Sequence, residues 1–146
     1  MYVSIEEFLS RKEEQDVIKA IRQAELNTSG EIRIHLENSC EKDPMTRAHE
    51  VFAILDMHNT QQQNAVLIYV AVNDQQFAIY GDKGIDKVVG ADFWTRIKDE
   101  MASHFKAEAY AKGLAEGVKG VGEQLKSHFP WHPSDENELP DSLSTS

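Results

Sequence analysis

The chain has 146 residues, a formal net charge of −10, and 27% charged against 40% hydrophobic residues. That length fits one domain able to bury a core. The acidic balance excludes nucleic acid and anionic membrane surfaces as principal partners, because both demand clustered Lys and Arg.

The first fifteen residues, MYVSIEEFLSRKEEQ, are acidic and hold no apolar run of signal-peptide length. The longest apolar run, Ala65 to Val72, is too short to span a bilayer. The one cysteine, Cys40, cannot form an internal disulfide and implies no oxidising compartment. The expectation is a cytoplasmic protein with no membrane insertion.

Ser4-x-x-Glu7 and Ser10-x-x-Glu13 both have capping-box spacing, and Val17, Ile18, Ile21 and Ala24 recur at helical intervals. This predicts a helix from about Ser4 to Ala24, with a break near Ser10. Glu31 to Glu37 alternates strictly, with Ile32, Ile34 and Leu36 on one face and Arg33 and His35 on the other. That is a strand, and its polar second face predicts a place near the sheet edge. Asp43-Pro44 reads as an N-cap followed by proline at the first helical position, leading into the stripe Ala48, Val51, Phe52, Leu55.

Asp56 to Asn64 is a polar loop. Ala65 to Val72 is apolar throughout, as expected of a central strand covered on both faces. Asn73-Asp74 makes a turn, Gln76 to Tyr80 returns as its antiparallel hairpin partner, and Gly81 to Asp86 reads as a third loop. Phe93, Trp94, Ile97, Met101 and Phe105 form one helical stripe, and Leu114, Val118, Val121 and Leu125 form the last. Gly113, Gly117 and Gly120 lie inside that last helix, where each costs roughly 1 kcal/mol against alanine. Close packing on the sheet is the expected compensation. From Pro130 the composition shifts to PWHPSDENELPDSLSTS, with four acids and no Lys or Arg, which reads as an extended tail.

The predicted fold is an α/β three-layer α/β/α sandwich, with a small mixed sheet of three to four strands and two helices available to each face. If Glu31–Glu37 and Ala65–Val72 run parallel, their N-terminal ends lie together, and the C-terminal end of the hairpin strand joins them. Ser29-Gly30-Glu31, the His58–Asn64 loop and Gly81–Asp86 then converge. They supply Glu31, Asp56, Asn64, Asp82 and Asp86, with His58 as a further candidate and many loop carbonyls. Oxygen donors of this kind are what Ca²⁺ and Mg²⁺ require. Taken singly, each residue reads as an ordinary turn or strand-end residue.

Other chemistries lack their parts. The sequence holds no His-Glu-x-x-His, Gly-x-Gly-x-x-Gly, Walker or Gly-x-Ser-x-Gly motif. Cys40 and Arg47 are separated by six residues, with Asp43-Pro44 between them. A cysteine–arginine phosphate loop needs five, so no catalytic residue is assigned.

The segments Ser29-Gly30-Glu31-Ile32-Arg33-Ile34, Asn64 to Val72, Phe77 to Ile85, and Gly113-Leu114-x-x-Gly117-Val118, in this order and spacing, resemble the TPM domain. That family is named for thylakoid lumen phosphatase, photosystem II repair and acetylcholine-receptor auxiliary proteins. The resemblance covers about Ser4 to Phe129, which assigns 1–129 to the domain and 130–146 to an acidic tail, and it is nearest to a stand-alone, bacterial-type cytoplasmic subgroup. It implies an α/β/α sandwich and, in several members, calcium or another divalent ion at loops at one end of the sheet. It also implies an acid phosphatase activity claimed for some plant members. The chain departs from the pattern at Gln63-Asn64-Ala65, where many members have acid–Asn–Gly, and it carries Asp86 for a glutamate and Asp82 as an added acid.

The reading is a non-enzymatic domain binding one or two divalent ions, Ca²⁺ before Mg²⁺, whose metal-tied loops present a surface to an unidentified protein partner. The alternatives are a metal-dependent acid phosphatase and a metal-independent protein-interaction domain.

Overall fold

A computed structural model describes residues 8–131 and the backbone of 143–145. Ser10 opens helix α1 (Arg11–Glu25) through a reciprocal capping box: its hydroxyl accepts from the Glu13 N–H at 3.1 Å, and its own N–H donates to Glu13 Oε1 at 2.9 Å. The expected break near Ser10 is therefore real, and Phe8 and Leu9 are buried just before it. The expected start at Ser4 lies outside the described residues.

Strand β1 (Glu31–Glu37) leads to helix α2 (Pro44–Ile54), whose first turn is capped by the Asp43 carboxylate. Strand β2 (Ala65–Ala71) is buried along its whole length and turns back into β3 (Gln76–Gly81). Helices α3 (Lys83–Val89), α4 (Ala91–Lys106) and α5 (Tyr110–His128) follow, and β4 (Leu143–Thr145) ends the described chain. The sheet order is β3-β2-β1-β4, with β1 parallel to both β2 and β4, and β3 antiparallel to β2.

The alternation of each strand divides the core. Ile32, Ile34 and Leu36 with Val66, Ile68 and Val70 meet apolar residues of α1, α3, α4 and α5. Leu67, Tyr69 and Ala71 with Ala78 meet Ala48, Val51 and Phe52 of α2. The sandwich has three layers, but the helices divide unequally, with α2 alone on its face among the described residues.

Four expectations need correction. β1 is an interior strand, because β4, from the segment read as a tail, pairs along its outer side. At His35 and Glu37 the polar face of β1 is accommodated by side-chain pairing: His35 stacks on Tyr69, and Glu37 binds Arg47 and Tyr69, whereas Arg33 Nε is buried without a hydrogen-bond partner among the described residues. Gly81–Asp86 is not a loop: Asp82 caps α3, and its carboxylate accepts the Lys83 N–H. The α5 glycines serve helix–helix contact and not the sheet. A Cβ on Gly117 would stand 2.5 Å from Met101 Sδ, and one on Gly120 would stand 2.3 Å from Ile97 Cδ1, both in α4.

The two ends of the domain are tied at the entry to β1. The Thr28 hydroxyl donates to the Leu125 carbonyl at 3.0 Å, the Ser29 N–H to the Phe129 carbonyl at 3.0 Å, and the Trp131 N–H to the Asn27 carbonyl at 3.0 Å. The buried Glu25 carboxylate accepts the Ile32 N–H at 2.9 Å. These bonds set the position of Ser29, Gly30 and Glu31 at one end of the sheet.

Candidate metal centre

Strand direction and register bring three segments together. Glu31 of β1 stands opposite Ala65 of β2, Gly81 of β3 stands opposite Val66, and the Asp82 N–H donates to the Ala65 carbonyl at 2.9 Å. Glu31, Asn64 and Asp82 therefore share one end of the sheet, and all three are buried, at 2%, 1% and 6% exposure. One Asp82 oxygen, Oδ1, accepts the Lys83 N–H at 2.8 Å. The other, Oδ2, is buried and has no hydrogen-bond partner among the described residues.

The loop before β2 is bound to this end from both sides. The Asn64 side-chain amide donates to Ser29 Oγ at 3.1 Å and Gln62 Oε1 at 3.4 Å, and Ser29 Oγ donates to Gln62 Oε1 at 2.7 Å. Gln63 sits in the left-handed region at φ 51° and turns its carbonyl to the start of α3, where it accepts from the Gly84 N–H at 2.8 Å and the Ile85 N–H at 3.3 Å. The approach is so close that a Cβ on residue 84 would stand 2.0 Å from the Gln62 carbonyl oxygen. Only glycine fits there.

The other candidates lie apart. Asp86 is one helical turn beyond Asp82, exposed, and its Oδ1 accepts from Trp94 Nε1 at 2.9 Å. Asp56 and His58 are exposed and pair with each other at 3.3 Å, with Asn59 also donating to Asp56. Among the described residues no three His, Cys, Asp or Glu side chains are grouped to hold an ion. A hard cation here would need amide and main-chain oxygens beside the carboxylates, which calcium accepts readily. The local field is negative. Burial raises the Tyr80 phenol above its ordinary pKa, and the charges of Asp82 and Asp86 raise it further.

Residues 3–124 match the TPM domain. The chain belongs to the TPM domain family. Among solved structures, this TPM domain is similar to the BA42 protein of the psychrophilic bacterium Bizionia argentinensis, determined by NMR. The two are 49% identical with a TM-score of 0.90, over 98% of this chain and 99% of that one. The N-terminal domain of a P. gingivalis protein shares the fold at 21% identity and a TM-score of 0.70, over 86% of this chain and 83% of that one. The N-terminal domain of the cg2496 protein of Corynebacterium glutamicum shares it at 14% identity and 0.64, over 92% and 79%. No curated protein matches the chain. No helix among the described residues of this TPM domain is long and apolar enough to cross a membrane.

A second polar cluster, at the opposite end of β1, has no counterpart in the sequence reading. Glu37 accepts from Arg47 Nε at 3.1 Å and from Arg47 Nη2 at 2.5 Å, and it accepts the Tyr69 hydroxyl. His35 Nε2 stands 3.7 Å from Glu37, and Arg47 reaches on to Glu50 at 3.3 Å. The Glu37 hydrogen bond raises the Arg47 pKa. Burial, then the Glu37 bond, raises that of Tyr69 well above the ordinary phenol range. Burial lowers the His35 pKa despite the nearby carboxylate. Both cationic and phenolic partners are held in their protonated forms, so the cluster ties β1, β2 and α2 together. Nothing in residue spacing marks it, because its members meet only when α2 crosses β2.

Proposed function

We propose that this TPM domain is a non-enzymatic divalent-cation-binding module, calcium before magnesium, whose ion joins the loop before β2 to the start of α3. The carrying observation is the buried Asp82 carboxylate, whose Oδ2 has no hydrogen-bond partner among the described residues. A carboxylate oxygen withdrawn from water without a donor is costly, and a cation removes that cost. Asp82, Glu31 and Asn64 are the nearest side-chain donors by register. Asp86, one turn away, is a further donor through the carboxylate that accepts from Trp94, and Asp56 with His58 could hold a second, exposed ion.

The loop 56–64 and the first turn of α3 already lock through Gln63 and Gly84. An ion would stiffen that junction and present a defined surface to a protein partner. The single cysteine, Cys40, is free, in keeping with a cytoplasmic setting.

The test is a calcium titration followed by amide NMR. The expected result is saturable shifts at Asn64, Asp82 and Gly84, with a rise in melting temperature by linkage. Saturating calcium that moves none of these amides refutes the proposal.

A further inference from the structure

We infer that the outer edge of β3 is a docking site for an extended, basic segment of another protein, which would add to the sheet as a fifth strand. The inference is independent of the ion.

The pairing of β2 with β3 decides which main-chain groups are left over. The Asp82 N–H bonds the Ala65 carbonyl, and in an antiparallel ladder such close pairs recur at every second residue. Tyr80, Ala78 and Gln76 therefore exchange bonds with Leu67, Tyr69 and Ala71. Gly81, Ile79 and Phe77 turn their N–H and C=O groups away from β2. β3 is the last strand on that side of the sheet, and no described residue bonds those groups.

Natural sheet edges are blunted by lysine, proline, bulges or a covering element. On the opposite side the edge strand is β4, only three residues long, and a short edge strand is a further device of this kind. Among the described residues β3 carries none of these devices. Its sequence, Gln76-Phe77-Ala78-Ile79-Tyr80-Gly81, has no charge and no proline, and its register with β2 runs without a bulge. Alongside lies a cleft of about 310 Å³ lined by Ile79, Tyr80 and Gly81, by the apolar side chains of Met45 of α2 and Trp94 of α4, and by Lys83 and Asp86.

Outward N–H and C=O groups at every second residue repeat at a strand's own spacing, so another extended backbone is the ligand that matches them. Met45 and Trp94 suit apolar side chains on alternate residues. Charge decides between a second copy and a different protein: two chains of −10 each repel, whereas a basic segment is attracted.

The probe is a synthetic peptide of alternating Val and Lys, titrated into the full chain and followed by amide NMR and hydrogen exchange. Exchange at Phe77, Ile79 and Gly81 is expected to slow about tenfold at saturation, while Ala78 and Tyr80, already bonded to β2, stay unchanged. Two control peptides are N-methylated, one at every Val amide and one at every Lys amide. One of them should lose about tenfold or more in affinity and the other should retain it, because a docked strand shows only one edge to β3. Equal binding of both methylated peptides and the parent overturns the inference. So does protection that maps away from β3. A concentration-dependent dimer of the chain alone, with protection at those same three amides, overturns the choice of occupant.

Discussion

Replacing Asp82 by asparagine removes the charge while keeping an oxygen able to accept the Lys83 N–H that Oδ1 now accepts at 2.8 Å. At 6% exposure, with Oδ2 lacking a donor among the described residues, water does little to screen this carboxylate. A buried acceptor left unsatisfied costs about 1–3 kcal/mol, and more when charged. The asparagine amide still lacks a partner, so only part of that is recovered, on the order of 1 kcal/mol. For a domain of this size that is roughly 3 °C in melting temperature. In chelator, then, Asp82→Asn should melt higher than the parent. In calcium the order should reverse, since an ion at one hundred times its dissociation constant adds about 2.7 kcal/mol to the parent and little to the variant. Differential scanning calorimetry of both proteins with chelator and with calcium reads all four values. A variant that is less stable in chelator, or that gains as much from calcium as the parent does, refutes the reasoning that a cation relieves this carboxylate.

Gly84→Ala should cost about 2–4 kcal/mol in urea denaturation, because its Cβ would stand 2.0 and 2.6 Å from the main-chain oxygens of Gln62 and Gln63, and neither is a flexible side chain. The same variant should weaken the calcium response by parting the loop from α3. Glu37→Gln should destabilise by about 2 kcal/mol, less than a fully buried pair because the Arg47 side chain keeps 27% exposure; chemical denaturation checks it, and no change would mean the Arg47–Tyr69 tie is idle. The folded Tyr69 phenol titrates well above its unfolded value of 10.0. Its contribution is therefore complete below about pH 10 and is lost as pH rises beyond it, since the unfolded chain gives up the proton first. Tyr69→Phe should flatten the alkaline fall in melting temperature, and an unaltered fall would assign it to other groups.

Most elements were legible because local pattern reports local burial. The Ser10–Glu13 capping box, the Asp43-Pro44 start of α2, the unbroken apolar run of β2 and the helical stripes through Ile97 and Val118 each carry their signal within a few residues. The strand directions followed from connection lengths, and they brought Glu31, Asn64 and Asp82 to one end. Asp82 was misjudged as a loop residue because Gly81-Asp82-Lys83-Gly84 has turn composition, and it is the contact of Gly84 with Gln62 and Gln63 that lets a helix start there. The grouping of Asp56 and His58 with the others rested on loop proximity alone, whereas in the fold their nearest polar partners are each other and Asn59.

The amino-acid order by itself gave away helices α1, α2, α4 and α5, strands β1 to β3, the two apolar faces of β2 and membership of the TPM domain family, since all of these depend on spacing along the chain. Tertiary structure alone decided that β4 pairs with β1 while the outer edge of β3 has no partner among the described residues, that Glu37 finds Arg47 and Tyr69, and that one buried Asp82 oxygen has no donor among those residues. These are outcomes of contact between residues far apart in sequence, where solvation and partnership are settled by which surfaces meet.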